Sequence, residues 1–193
     1  KPLQEANSRL GWYIVLATIP AGLGGLLLKS KVEAAFSSPV LTAVLLFVTA
    51  VILTLAEIFS RKERDLESVT PKDAIVIGLS QLLAIFPGIS RSGATISGGL
   101  SRGLKREAAA RFSFLMSIPI MLAAGLLSVL DLLKIPDLGS FLPIILVGFI
   151  VALVVGYLSI RWLLNFLKSR SLIPFAVYCA IVSILTIFIA YFR

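Results

Sequence analysis

Five stretches of this chain, residues 10–28, 39–59, 112–133, 141–167 and 172–192, run for nineteen residues or more with at most one charged side chain each. A helix rises about 1.5 Å per residue, so about 20 apolar residues cross the roughly 30 Å hydrocarbon core of a bilayer. No water is available there to pair the backbone, and a helix pairs it internally. The 193 residues therefore divide into membrane crossings and short loops. Composition agrees: 58% hydrophobic, 15% charged and a mean hydropathy of +1.01, against about 25% charged in an average soluble domain. One integral membrane domain over 1–193 is expected, all-α and polytopic.

Lysine and arginine number 18 against 10 acids, a net charge of +8. On a soluble chain that excess would suggest nucleic acid; on a polytopic one it marks loops held at the cytoplasmic face, so no nucleic-acid partner is expected. Histidine is absent. No Ser-His-Asp triad, His-Glu-x-x-His zinc site or histidine phosphate relay can be built, and the histidine-dependent type of lipid phosphatase is excluded with them. Cys179, the single cysteine, has no internal disulfide partner and is expected to serve packing.

One apolar segment does not fit the pattern. After a charged stretch at 60–73 comes 74–86, thirteen residues that reach only about 20 Å as a helix. Pro87-Gly88 stops it, and a second short piece follows at 93–104. Two half-helices joined by a polar tip describe a re-entrant helical hairpin over 74–104. Gly93, Ser97 and Ser101 repeat every four positions, a stripe that would let another helix approach closely. With such a hairpin, thirteen basic residues share one face, four (Lys29, Lys31, Lys134, Arg193) take the other, and Arg91 stands apart at the tip. The rich face is expected to be cytoplasmic.

Arg91 is the residue to explain. A guanidinium at membrane depth costs at least about 2.5–3.5 kcal/mol and normally faces a cavity or an anion. No Asp or Glu occurs from 74 to 104. Ser90, Ser92 and Thr95 surround it with hydroxyls, Gly88 and Gly93 give backbone access, and a helix N-terminus begins there. These groups converging on one point would form a receptor for phosphate or diphosphate. The bland alternative stays open: the hydroxyls cap the second half-helix and Arg91 snorkels to water. Gln81 either reaches the same site or packs between helices. Glu57 and Asp131, at span ends, are expected to be interfacial, and Asn165 to hydrogen-bond near the cytoplasmic end.

Phe86-Pro87-Gly88-Ile89-Ser90-Arg91-Ser92-Gly93-Ala94-Thr95 resembles the Pro-Gly-x-Ser-Arg-Ser-x-x-Thr motif of the bacterial undecaprenyl-diphosphate phosphatases, the bacitracin-resistance family. Ile96-Ser97-Gly98-Gly99, Gln81, Phe112-Ser113-Phe114 and Ile173-Pro174-Phe175-Ala176 extend the likeness over essentially the whole chain. It implies a membrane hydrolase that removes the terminal phosphate of undecaprenyl diphosphate, regenerating the monophosphate carrier for cell-wall synthesis. Ser90, Arg91 and Thr95 match motif positions taken as catalytic, with Ser92, Gly88, Gly93 and Gln81 expected at the substrate. The family's Glu-x-x-x-Glu and Ser-Ser-Thr-Gly-His segment has no counterpart here.

The resemblance further implies five transmembrane helices plus the re-entrant hairpin, part of an inverted-repeat architecture. Residues 1–59 would end the first repeat, 74–193 would form the complete second, and the chain would be truncated by one hairpin and one span. The base and the ligands of any divalent cation, Mg²⁺ or Ca²⁺, are expected in the missing N-terminal segment, so that this fragment alone is inactive. No metal ligand is assigned to the chain. A polyprenyl diphosphate lipid is the expected partner, with a homodimer left open, in the bacterial inner membrane with the site facing outward. The rival reading is a lipid-phosphate transporter or flippase using the same anion site.

Overall fold

The computed structural model describes residues 6–134 and 138–192. Eight α-helices account for most of them: α1 (Ala6–Leu27), α2 (Lys29–Phe36), α3 (Pro39–Phe59), α4 (Pro71–Leu83), α5 (Arg91–Ser101), α6 (Arg106–Leu132), α7 (Leu138–Ser169) and α8 (Ile173–Tyr191). Five of these, α1, α3, α6, α7 and α8, are long and apolar enough to cross a bilayer. The chain is an all-helical membrane protein.

Local chemistry sets the boundaries. α3 coincides with the apolar run because Ser38 caps it, its Oγ accepting from the Leu41 N–H at 3.2 Å, and Pro39 occupies the first turn, where an N–H is not needed. α4 and α5 each start before the apolar segments at 74–86 and 93–104 do. Thr70 closes a capping box with Asp73 and Pro71 follows it, while Ser90 caps α5. These first turns are polar, so hydropathy places both helices late. α2 lies in a connection and carries Lys29, Lys31 and Glu33, so no apolar run announces it.

α4 and α5, thirteen and eleven residues long, are each too short to cross. They pack on one another as a helical hairpin, and its open ends are tied together. The Glu63 and Arg64 N–H groups donate to the Gly103 carbonyl at 3.0 and 2.9 Å, and the Lys105 N–H donates to that of Arg64 at 2.8 Å. The closed end reaches Thr49, the central residue of the 21 in α3. Gly93 to Leu100 of α5 are all buried, between α3, α4 and α6.

Close approach to α5 does not follow the expected stripe. A Cβ on Gly98 would lie 2.5 Å from the Ser80 Oγ and one on Gly99 2.8 Å from the Ala109 Cβ, whereas Ser101 is exposed. The helix is gripped from three sides, so small residues are required around it and not along one line. Elsewhere α1 lies on α4, and α3 runs antiparallel to α8, where the Ser183 hydroxyl donates to the Ala43 carbonyl at 2.7 Å. α7 packs on α6 and buries only Leu167.

Two buried carboxylates hold the end at which the hairpin opens. Asp73, fully buried, accepts from Arg64 at 2.7 Å and Arg102 at 2.8 Å, joining the first turn of α4 to the end of α5. Burial alone would raise its pKa, but the hydrogen bonds from the two arginines and from Thr70 outweigh that and hold it well below the usual carboxylate range. Glu57, expected to be interfacial from its place at a span end, is a buried hub there. It is 7% exposed and is bound by Lys62 at 2.7 Å, by Arg106 and by the Leu172 N–H at 3.1 Å, so that α3, α6 and α8 meet there. Asp131 is solvated and pairs with Lys134.

Candidate functional site

The turn between α4 and α5 is built from the backbone outward. Gly88 has φ +93°, a region that a side chain resists, and a Cβ there would stand 2.1 Å from the Thr42 carbonyl oxygen. The turn can therefore press directly on α3. Thr49 fastens it: its hydroxyl donates to the Gly88 carbonyl at 3.2 Å, shared with that of Leu45 at 3.3 Å, and accepts from the Ser90 N–H at 3.1 Å. Ser90 Oγ accepts from the Gly93 N–H at 3.1 Å, which starts α5 and leaves its hydroxyl proton free to donate. A Cβ on Gly93 would come within 3.1 Å of Ser90 Oγ and 3.3 Å of Thr49 Cγ2. Both glycines serve contact within the protein.

Arg91 is the first residue of α5 and is half-buried. Its Nε donates to Gln81 Oε1 of α4 at 2.9 Å. Gln81 is 2% exposed, so the pairing and the packing expected of it are one arrangement. Arg91 Nη2 and Gln81 Nε2 are both buried donors without an acceptor among the described residues. The two buried acids, Glu57 and Asp73, are already saturated by other cations. Arg91 is thus a desolvated positive charge with spare donors beside it.

Thr95, one turn on, is 1% exposed. Its Oγ1 donates to the Arg91 carbonyl at 2.8 Å and lies 2.6 Å from Ser113 Oγ of α6. It holds the backbone of Arg91 from inside the bundle.

The hydroxyls do not converge on the guanidinium as the spacing suggested. Ser90, Ser92 and Gly93 line a cavity of about 210 Å³ whose other walls include Leu53, Leu163, Phe175 and Tyr178; Arg91 instead reaches α4. The reason is helical geometry: successive side chains leave the axis about 100° apart. The Ser92 hydroxyl has no protein partner among the described residues, and neither do the Arg91 and Ser92 N–H groups at the helix start. Sequence reasoning missed Thr49 altogether. Its only signal is a hydroxyl seven residues from Thr42 on one face of a mostly apolar span.

The donor set is unsuited to a metal ion. It offers a guanidinium, an amide N–H₂, hydroxyls and helix N–H groups, and among the described residues no three His, Cys, Asp or Glu stand together. It suits an anion carrying several acceptor oxygens.

Comparison with known proteins places this geometry. The sequence profile of the family described as Bacitracin resistance protein BacA matches residues 1–185. An undecaprenyl-diphosphatase of Methanobrevibacter smithii is 47% identical over 182 residues, which are 94% of this chain and 65% of that protein. One of Mycolicibacterium smegmatis is 41% identical over 186 residues, 95% of this chain and 67% of that protein. One of Corynebacterium striatum is 45% identical over 180 residues, 92% and 64%. The chain thus spans about two thirds of the length of the curated relatives it matches. A match over nearly its whole length, with the Pro-Gly-x-Ser-Arg-Ser turn inside it, shows that the chain belongs to the bacitracin-resistance protein BacA family.

Proposed function

We propose that this chain carries the diphosphate-binding part of an undecaprenyl-diphosphatase, a membrane hydrolase that converts undecaprenyl diphosphate to the monophosphate carrier lipid and so supports cell-wall synthesis and bacitracin resistance. The observation that carries the reading is the pair of buried donors without acceptors, Arg91 Nη2 and Gln81 Nε2. Such donors cost about 1–3 kcal/mol each when unmet, and phosphate oxygens are the acceptors that a guanidinium fork matches best. The names of the relatives favour hydrolysis over transport or flipping.

Hydrolysis of a phosphoanhydride needs charge stabilisation on the transferred phosphoryl group, a positioned attacking group and proton handling. In this proposal Arg91 and the free N–H groups at the start of α5 supply the first. Ser90 and Ser92 donate hydrogen bonds to the headgroup from the neighbouring cavity, whose apolar walls suit the first isoprene units. Thr95 positions Arg91 through its carbonyl. The base, and the ligands of any Mg²⁺ or Ca²⁺, belong to the third of the relatives' length that this chain does not match.

The α4–α5 hairpin is read as re-entrant. Its two open ends meet beside the C-terminus of α3 and its turn is bound to that helix's midpoint, about 15 Å along the axis. The antiparallel pair α3–α8 supports the inverted repeat, since these would be the last spans of its two halves. The basic-rich end is taken as cytoplasmic, in the cell's inner membrane, with the anion site opening outward.

The test is binding followed by turnover. The purified chain should bind undecaprenyl diphosphate, lose that binding in Arg91→Ala and release no phosphate by itself. Equal binding by Arg91→Ala would remove the anion site; release of phosphate by this chain would return the base to its own residues.

A further inference from the structure

A second cationic site shares no lining residue with the cavity at the α4–α5 turn. A groove of about 740 Å³ between α6 and α7 is lined by Arg111, Arg161, Lys168, Glu107, Asn165 and Trp162, among others. Three cations meet one carboxylate there, leaving a surplus of two positive charges. Glu107 is bound by Arg111 at 2.7 Å and lies 4.0 Å from Lys168, while Arg161 has no ion pair or hydrogen bond among the described residues. Nor does the Asn165 side chain, for which a partner was expected. Trp162 forms one wall and stacks on Phe166 at 5.4 Å, which fixes an aromatic ring beside the charges.

The depth of this groove can be read from the two helices that form it. Residues 112–130 of α6 carry no charge, and that run starts immediately after Arg111. Residues 141–160 of α7 carry none either, and that run ends immediately before Arg161. Each run measures about 30 Å as a helix, the thickness of the hydrocarbon core. The helices are antiparallel neighbours, so Arg111 and Arg161 mark the same membrane boundary from two sides. Lys168 lies about 10 Å further out along α7, at headgroup level. Trp162 stands where interfacial aromatics gather.

We propose that this groove binds an anionic phospholipid headgroup, a phosphodiester held between Arg161 and Lys168 with Trp162 against the glycerol region. The acyl chains would lie along the exposed apolar face of α7 that begins at Leu158. Basic pockets between membrane helices at the cytoplasmic side take such headgroups. The site is independent of the hydrolase reading: it shares no residue with the α4–α5 turn and needs no turnover.

The test titrates the purified chain in a neutral detergent with phosphatidylglycerol, and in parallel with phosphatidylcholine, reading the bound fraction by native mass spectrometry. Phosphatidylglycerol should bind in preference. Arg161→Gln and Lys168→Gln should each weaken it about fivefold, one surface charge being worth about 1 kcal/mol. Arg170→Gln removes a charge from the same end of the molecule, outside the groove, and should change binding little. Circular dichroism should be unaltered throughout, since among the described residues Arg161 has no partner and Lys168 has only the 4.0 Å approach to Glu107. Equal binding of phosphatidylcholine would overturn the proposal, as would a loss in Arg170→Gln equal to that in Arg161→Gln. Saturation by soluble glycerol phosphate at the same concentration would overturn the lipid source, and preference for undecaprenyl phosphate would reassign the groove to substrate.

Discussion

Arg91 spends one of its five donors on Gln81, and the others have no described protein acceptor. Removing it should weaken binding of a diphosphate lipid about tenfold to a hundredfold, the range of one lost hydrogen bond between charged groups. Arg91→Lys keeps the charge without the fork and should fall between the two, which equilibrium binding in detergent can resolve. Thr49 is the less obvious half of the same construction. Thr49→Val keeps the shape but strands the Ser90 N–H and the Gly88 carbonyl in the interior, so a loss of about 1–3 kcal/mol is expected in thermal or denaturant unfolding. Diphosphate affinity should drop with it, because α5 then starts from an unanchored turn. The arginine was legible because a lone charge among apolar residues has few explanations. Thr49 was not, because in a membrane helix a hydroxyl can satisfy itself on the carbonyl four residues back, as Thr54 and Thr186 do here.

At the level of elements, hydropathy located every long helix and misjudged the short ones, for a single reason. It sees burial in lipid, whereas α2, α4 and α5 are begun or carried by polar residues that bind backbone or ions. The two acid-centred clusters were equally hidden. The 60–73 segment reads only as a charged stretch, yet Asp73 is its buried hub and joins Arg64 to Arg102, twenty-nine residues beyond Asp73. Breaking a fully buried ion pair costs about 3–5 kcal/mol. Arg64 and Arg102 are 31% and 39% exposed, so solvent relieves part of that, and Asp73→Asn should lose about 2 kcal/mol. The pH dependence has a definite sign. A carboxylate whose pKa is depressed on folding stabilises fully above its unfolded value, about 3.9, and that stability disappears as pH falls towards the folded value. The difference in melting temperature between the native chain and Asp73→Asn should therefore be constant from pH 8 to about pH 5 and close below about pH 4. A difference that closed near neutrality would show that Asp73 is not held as described.

For the whole molecule, the hairpin resolves a tension between charge and depth. Glu57, Asp73 and their four basic partners gather at the end where α3 finishes and α6 and α8 begin, while the α4–α5 turn lies alongside the middle of α3. A straight crossing by α4 and α5 together would carry Lys105 and Arg106 to the face opposite Arg64. The backbone ties between residues 63–64 and 103–105 exclude that arrangement. The counting of basic residues favours the proposed re-entrant topology, because under it thirteen bases fall on one face and four on the other. Sidedness can be measured with single cysteines once the buried native thiol is replaced (Cys179→Ala). Lys72→Cys and Lys105→Cys, at the two open ends of the hairpin, should react with an impermeant maleimide from the same side. Ser92→Cys, at the turn, should be protected from that side and react from the other, where the proposed anion site would open. Labelling of Lys72→Cys and Lys105→Cys from opposite faces would mean that α4 and α5 cross the bilayer, and Arg91 would then have to be explained as part of a spanning segment. Labelling of all three from one face would keep the hairpin but turn its anion site towards the cytoplasm.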